Sequence, residues 1–213
     1  MSLDMNIDKF KFQSPTNILV AGSTQSGKTV FVIKLINHCK NLFSEPPVKV
    51  IYCYSIFQKK FNEITNSVQF HQGLPNIDEI ADTQNRHVLI VIDDLMQSIN
   101  SQIVDLFTVK THHQNISCVF ILQNMFFQNK HLRTMSLNSH YLCLFRASRD
   151  NNQVNVLARQ IFGTRAKNFL KIYDEVMREP YTYLLINMHP SNKYRVSVHK
   201  DIFPDEYEII FLE

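Results

Sequence analysis

An octapeptide near the start of the sequence constrains the fold of this chain more than any other feature. Residues 22–29 read Gly-Ser-Thr-Gln-Ser-Gly-Lys-Thr, which matches the pattern GxxxxGK[ST] at every fixed position. The apolar run Asn17–Ala21 comes directly before it, and Thr29–Cys39 mixes apolar and polar residues like a helix packed on a sheet. Between a strand and a helix, such a loop curls its backbone N–H groups around an anion. The sequence therefore predicts a phosphate-binding loop.

Each fixed position of this loop has a chemical reason. Gly22 is expected to permit the turn off the strand, and Gly27 to bring the backbone close to the anion where the helix begins. Lys28 is expected to reach the β- and γ-phosphates of a nucleotide, and the Thr29 hydroxyl to bind Mg²⁺. The residues between the glycines contribute backbone N–H groups: Ser23, Thr24, Gln25 and Ser26. The alternative is a glycine turn with an incidental lysine.

Glycine is scarce: the chain of 213 residues contains 4, and two of them are in this loop. Average usage would give about 15. Collagen-like repeats and glycine-rich linkers are therefore excluded. Turns that require positive φ are expected to be few, or to use Asn.

Strand-like and helix-like stretches alternate along the chain. Apolar runs without polar alternation indicate strands covered on both faces, as in parallel sheets. The further runs of this kind are Val48–Tyr54, Val88–Ile92, Ser117–Leu122, Tyr141–Phe145 and Tyr181–Asn187. The helix-like stretches are Asn100–Val109, Asn129–Ser136, Asn151–Phe162 and Arg165–Met177. We expect an α/β fold, namely a three-layer αβα P-loop NTPase with a mostly parallel sheet. Tyr194–His199 alternates in polarity and can pair with Tyr181–Asn187 as a C-terminal antiparallel hairpin.

Length and composition suit one domain over residues 1–213, with a core at about 14–187 and a hairpin and tail at about 188–213. The net charge of +3 is compatible with nucleic acid but does not demand it. No apolar stretch is long enough for a membrane helix, so no membrane association is expected. The four cysteines are widely spaced in apolar runs, which predicts buried thiols in a reducing intracellular compartment.

Polar residues follow two of the predicted strands. Asp93 and Asp94 end the run Val88–Ile92. We expect Asp93 to hold Mg²⁺ and Asp94 to be the base that orients or deprotonates an attacking water. The alternative for this pair is a helix N-cap and a solvated charge. Gln123 ends the next run and is expected to contact that water or the γ-phosphate, unless it is an ordinary polar strand end.

The ordered set GSTQSGKT, VLIVIDDL and CVFILQN, with the later stretch YLCLFRASRDNNQVNVLARQIFG, resembles the FtsK–HerA superfamily of P-loop ATPases. Within it, the chain is similar to the genome-packaging ATPases of poxvirus-related viruses, virophages and Polinton (Maverick) elements or adintoviruses. The resemblance covers roughly residues 14–187. Many relatives of the broad class carry Glu where Asp94 stands, and Asp is shorter by one methylene.

This resemblance implies an ATPase that uses ATP and Mg²⁺ to move double-stranded DNA into a capsid, gripping the backbone without reading sequence. It implies a homo-oligomeric ring, a pentamer or hexamer, with capsid proteins as further partners and the host cytoplasm or nucleus as location. An arginine finger from a neighbouring subunit is expected at Arg149 or Arg146, with Arg133 a weaker candidate. The alternative for these arginines is pairing with local acids or solvent.

The sequence leaves two other functions open. One is a small P-loop kinase that uses the Arg146 and Arg149 turn as a lid. Another is a non-catalytic, nucleotide-gated assembly protein in which Asp94 is not a base. Asn129-Lys130 lacks the aspartate of a guanine-reading motif, and the histidines form no zinc pattern. Lys59-Lys60 suits a solvated helix face better than a DNA contact.

Overall fold

The computed structural model describes residues 9–76, 80–81, 84–95, 101–123, 130–147 and 151–212. Within these ranges, nine strands form one sheet in the order β3-β2-β4-β5-β1-β6-β7-β8-β9. The strands are β1 (Asn17–Ala21), β2 (Lys49–Tyr54), β3 (Gln69–Gln72), β4 (Val88–Asp93), β5 (Ile116–Leu122), β6 (Tyr141–Phe145), β7 (Tyr183–Asn187), β8 (Ser197–Lys200) and β9 (Ile209–Leu212).

The first six strands run parallel to one another, and the last three are antiparallel to their neighbours. Strand β1 lies between β5 and β6, and β4 lies beside β5. The carboxyl ends of the parallel strands therefore meet at one edge of the sheet, where open α/β sheets bind their ligands. The loop that follows β1 lies at the middle of this edge.

Helices cover both faces of the sheet. They are α1 (Lys28–Asn37), α2 (Cys39–Leu42), α3 (Ser101–Asp105), α4 (Thr111–His113), α5 (Lys130–Leu137), α6 (Asn151–Phe162) and α7 (Ala166–Val176). A π-helical turn, Leu106–Lys110, joins α3 to α4, and 3-10 turns occupy Lys59–Glu63 and Gly163–Arg165.

Alternate residues of the central strand point into two separate cores. Ile18 and Val20 of β1 pack in the core that contains α1 and α2. Leu19 and Ala21 pack in the other core, which contains residues of α3 and α5–α7. Because both faces of β1 are buried, its sequence is apolar without alternation. The predicted three-layer α/β fold with a mostly parallel sheet is confirmed, and so is the antiparallel C-terminal hairpin.

Two strands of the sheet are not predicted by the sequence. Strand β3 reads QFHQ and is mostly exposed, and β9 lies near the C-terminus, and both are edge strands. An edge strand buries little surface, so its apolar signal is weak. The predicted strand Tyr181–Asn187 begins at Tyr183, because Tyr181 has a left-handed φ of 62°. The expectation that positive φ would fall to Asn holds at Asn85 and Asn115, but other residue types also adopt it.

The four cysteines are buried and unpaired. Burial raises the pKa of the Cys53 thiol to about 12. No helix in the described ranges combines the length and apolar character needed to cross a membrane.

Candidate active site

A cleft of about 450 Å³ lies at the carboxyl edge of the parallel strands. It gathers residues from the loop after β1, the start of α1, the ends of β4 and β5, and two other segments of the chain. The lining residues are Thr24, Gln25, Ser26, Gly27, Lys28, Thr29, Val30, Gln58, Lys60, Asp93, Asp94, Ile121, Gln123 and Tyr181. The predicted phosphate loop, acidic pair and amide thus share one cavity.

The two loop glycines are required for different reasons. A Cβ at Gly22 would lie 2.5 Å from Cβ of Phe145 and 2.9 Å from Oγ of Ser26, and Gly22 lies outside the left-handed region of φ. The close approach of β6 therefore requires glycine at this position, where the chain turns off β1. Gly27 has φ 109°, and a Cβ there would lie 3.3 Å from the Phe145 ring. It therefore needs glycine for its backbone conformation.

The Lys28 side chain folds over the loop. Its Nζ donates to the carbonyl oxygens of Gly22 at 2.8 Å and Ser23 at 2.7 Å. These bonds use two of its three N–H donors, which leaves one for a phosphate oxygen. Burial lowers the pKa of Lys28, while the charges of Asp93 and Asp94 oppose that shift. A cation held in this way lies where it can neutralise a triphosphate.

The start of α1 presents to the cleft backbone N–H groups that have no helical partner in the described part of the chain. The first helical hydrogen bond runs from the N–H of Phe31 to the carbonyl of Gly27 at 3.0 Å, so the N–H groups of Lys28, Thr29 and Val30 precede it. The first turn contains no acidic residue that would compete with an anion. Nearby, Ser26 Oγ is buried without a hydrogen-bond partner among the described residues. An orphaned hydroxyl beside free N–H groups fits a bound phosphate.

Asp93 is buried at the end of β4, with 5% of its surface exposed. The Tyr52 hydroxyl donates to its Oδ2 at 2.8 Å. Burial raises the pKa of Asp93, and Asp94 adds to that effect, while the Tyr52 hydrogen bond and the charge of Lys28 oppose it. A divalent cation favours the ionised form of such a carboxylate. Asp93 and Thr29 line the same cleft and are the residues that would hold Mg²⁺.

Asp94 and Gln123 form a direct contact at the mouth of the cleft. The Gln123 side-chain amide donates from Nε2 to Oδ1 of Asp94 at 3.0 Å. The contact arises because β4 and β5 are adjacent and parallel, with Asp93 in register with Ile121. Both side chains are exposed, so water can reach the carboxylate. A carboxylate oriented by an amide suits a base that positions a water molecule.

The structure describes two of the three candidate arginines, Arg146 and Arg133. Arg146 follows β6, and its backbone carbonyl accepts the Ser23 N–H at 3.1 Å. Its exposed side chain therefore starts at the same edge as the phosphate loop. Arg149 lies outside the described residues. Arg133 is an exposed residue of α5 and does not line the cleft.

The sequence does not indicate several residues that line the cleft or support its side chains. Tyr52 reaches Asp93 because β2 pairs with β4, an adjacency that chain order does not give. Lys60 is exposed on a 3-10 turn, as expected of a solvated helix face, and it also lines the cleft together with Gln58, which the sequence did not indicate. Tyr181 is the first residue of the predicted strand Tyr181–Asn187, but in the structure it precedes β7 and lines the cleft with 74% of its surface exposed.

Backbone strain is concentrated in this cleft. Six non-glycine residues in the described ranges have positive φ, and three of them line it: Gln25 at 63°, Asp94 at 54° and Tyr181 at 62°. A left-handed conformation costs an L-residue about 1–2 kcal/mol. Strain of this kind is commonly retained at binding and catalytic sites.

These features define a class of fold. A phosphate loop between the central strand and the first helix, with acidic residues at the end of a nearby parallel strand, is the architecture of P-loop NTPases. The chain has this fold.

Two solved structures are similar to this chain over most of its length. The DNA-packaging ATPase from Sulfolobus turreted icosahedral virus has a TM-score of 0.52 at 10% identity, covering 92% of this chain and 96% of that one. The genome-packaging NTPase of Sulfolobus turreted icosahedral virus 2, in complex with ATP-γS, has a TM-score of 0.51 at 12% identity, covering 88% and 98%. No protein-family model matches the sequence, and no curated protein matches it either.

Proposed function

We propose that this chain is an ATP-hydrolysing motor subunit that packages double-stranded DNA into a viral or virus-like capsid. The observation that carries the proposal is the Asp94–Gln123 contact in the same cleft as the phosphate loop, on a fold shared with two viral packaging NTPases. The ordered motifs further support membership of the FtsK–HerA superfamily, near the poxvirus-related, virophage and Polinton enzymes. The whole chain, residues 1–213, acts as one ATPase domain.

In this proposal the loop residues 22–29 bind the phosphates of ATP. The N–H groups at the start of α1 and the third donor of Lys28 contact the β- and γ-phosphate oxygens. Thr29 and Asp93 hold Mg²⁺, which neutralises charge on those oxygens when bound. Tyr52 holds the Asp93 carboxylate in place, and its hydrogen bond favours the ionised form against the burial that raises the pKa of Asp93.

Hydrolysis then depends on the exposed pair at the mouth of the cleft. Asp94 accepts a hydrogen bond from the attacking water and orients it toward the γ-phosphate. Gln123 fixes Asp94 through one N–H of its side-chain amide. The second N–H donates to the γ-phosphate, or the carbonyl oxygen accepts a hydrogen bond from that water. Gln123 contacts Asp94 and lines the cleft in which the γ-phosphate would lie. Its position can therefore differ between the ATP-bound and ADP-bound states.

The ring completes the site in this proposal. An arginine from the next subunit, Arg149 or Arg146, stabilises the charge that develops on the transferred phosphoryl group. DNA passes through a homo-oligomeric ring of five or six subunits, and capsid proteins are further partners. The assembly works inside the infected cell, in the host cytoplasm or nucleus where particles form.

The proposal is tested by measuring ATP hydrolysis with and without linear double-stranded DNA. We expect the assembled protein to hydrolyse ATP to ADP and phosphate, and duplex DNA to raise the rate. Hydrolysis that DNA does not alter would contradict the motor function. Transfer of the γ-phosphate to a nucleoside instead of water would identify a kinase.

The adenine base of ATP is proposed to stack on Tyr181. Its ring is exposed at the cleft, and its Cβ would lie 3.5 Å from a Cβ at Gly27, beside the start of α1. An exposed aromatic side chain on a strained backbone is a poor choice for stability alone. A stacked base would compensate for that strain, because every base offers an apolar face.

Replacing Tyr181 with alanine is expected to weaken ATP binding without changing the chemical step. Base–aromatic stacking contributes about 1–3 kcal/mol, so the Kd for ATP should rise about fivefold to a hundredfold. Tyr181→Phe should retain the affinity, and Tyr207→Ala, which removes a tyrosine that is 95% exposed, is the matched control. Inorganic tripolyphosphate should bind wild type and Tyr181→Ala equally. An equal loss for tripolyphosphate would show that Tyr181 supports the loop and does not hold the base.

A further inference from the structure

A second cleft, of about 400 Å³, lies at the turn between α6 and α7. Its wall is formed by residues 160–165 and by Arg195, which comes from the connection between β7 and β8. Arg165 and Arg195 thus bring two guanidinium groups to one cavity, and both residues are exposed. Neither of them forms an ion pair within the described part of the chain. No residue assigned to the nucleotide lines this cleft.

The position of α7 places this cleft away from the nucleotide. The Tyr173 hydroxyl donates to the carbonyl of Phe145 and accepts from the N–H of Ala147, both at 3.1 Å. These bonds hold that part of α7 at the edge of the sheet where the phosphate loop lies. Helix α7 begins at Ala166, seven residues earlier, which is about 10 Å along the helix axis. The α6–α7 turn therefore lies toward the opposite edge.

The strands give the same position for Arg195. Strand β7 runs antiparallel to β6, so its last residue, Asn187, lies at the edge opposite the phosphate loop. Ser197 at the start of β8 pairs with Asn187. Arg195, two residues before Ser197, is therefore at that opposite edge as well. The two clefts open at opposite ends of the parallel strands.

The two chain segments that supply the second cleft lack acidic residues. Residues 151–173 and 188–199 contain no Asp or Glu. They contain six basic residues, namely Arg159, Arg165, Lys167, Lys171, Lys193 and Arg195. The whole chain has 22 basic and 19 acidic residues, so the remainder carries a net negative charge. A cleft formed by two basic segments of a nearly neutral protein indicates a polyanionic partner.

We propose that the Arg165–Arg195 cleft binds the phosphate backbone of double-stranded DNA. Guanidinium groups match phosphate oxygens in a bidentate geometry, and exposed arginines without acidic partners are free to make those contacts. The charge and geometry indicate a polyanion independently of the proposed function, whereas the choice of DNA as that polyanion rests on it. Backbone contacts of this kind carry no sequence preference.

The test is the affinity of the full chain, with ATP-γS present, for a labelled DNA duplex at several salt concentrations. The double variant Arg165→Gln/Arg195→Gln is expected to bind about tenfold or more weakly, and the slope of log affinity against log salt should fall by about two. ATP hydrolysis without DNA should be unchanged. The matched control, Lys11→Gln/Lys40→Gln, removes two exposed charges elsewhere and should bind like wild type.

A third variant separates charge from folding. Arg165→Lys/Arg195→Lys should keep most of the salt dependence, because the two positive charges remain. The proposal is overturned if the glutamine variant binds duplex like the control, if wild type binds no duplex, or if millimolar inorganic phosphate alone abolishes binding at constant ionic strength. Duplex binding that depends on these arginines in a protein without ATPase activity would refute the motor function and leave the cleft standing. DNA-stimulated hydrolysis that survives the glutamine substitutions would do the opposite.

Discussion

Replacing Lys28 with alanine is expected to reduce ATP hydrolysis by about 100- to 1000-fold, the usual cost of removing one donor that stabilises transition-state charge. The Kd for ATP should rise about tenfold to a hundredfold, because a hydrogen bond to a charged group contributes about 1.5–3 kcal/mol. The substitution removes the cation whose Nζ bonds to the carbonyl oxygens of Gly22 and Ser23 in the loop. The measurements are steady-state hydrolysis and equilibrium binding of ATP.

The control for this substitution is Lys40→Ala, which removes an exposed lysine from α2. Both variants should show thermal unfolding close to that of wild type, since Lys28 is needed mainly for the ligand. Near-normal hydrolysis in folded Lys28→Ala protein would mean that the loop after β1 is not the site of the chemistry.

Replacing Asp94 with asparagine is expected to separate binding from hydrolysis. Asparagine keeps an oxygen that can accept the Gln123 amide at the 3.0 Å position, but it cannot take a proton or orient water as strongly. General-base catalysis contributes about 10²- to 10⁴-fold, so kcat should fall by that factor. ATP binding should change little, because Asp94 lies beyond the groups that hold the phosphates.

The matched control is Asp105→Asn, which removes an exposed carboxylate from α3 and should hydrolyse ATP like wild type. Retention of both ATPase and DNA-dependent activity by Asp94→Asn would favour the non-catalytic reading, in which nucleotide binding alone drives assembly. Loss of nucleotide binding would instead show that the carboxylate acts on the metal site.

The sequence predicts the parts of this site that depend on local pattern. The phosphate loop lies between a buried strand and a helix because residues 17–39 contain both the motif and its flanking apolar runs. The three-layer fold follows because strands buried on both faces lack alternation. The Asp94–Gln123 contact needed one further condition, that β4 and β5 be neighbours, which the structure meets.

What escaped prediction depends on contacts between distant segments. Tyr52 reaches Asp93 across the β2–β4 pair, and the requirement for Gly22 comes from Phe145 on β6. Tyr181 lines the cleft because its strained turn precedes β7, and no local pattern signals that conformation. Residue types alone also could not show that Arg165 and Arg195, thirty positions apart, share a cleft.

The central claim is that hydrolysis in the first cleft moves this protein along double-stranded DNA. The most direct measurement is displacement of a labelled third strand from a triplex at one end of a linear duplex. We predict that wild type displaces the strand with ATP, and that neither wild type with ATP-γS nor Lys28→Ala with ATP does so. Wild type that hydrolyses ATP and leaves the triplex intact, or that displaces it without hydrolysis, would contradict the claim.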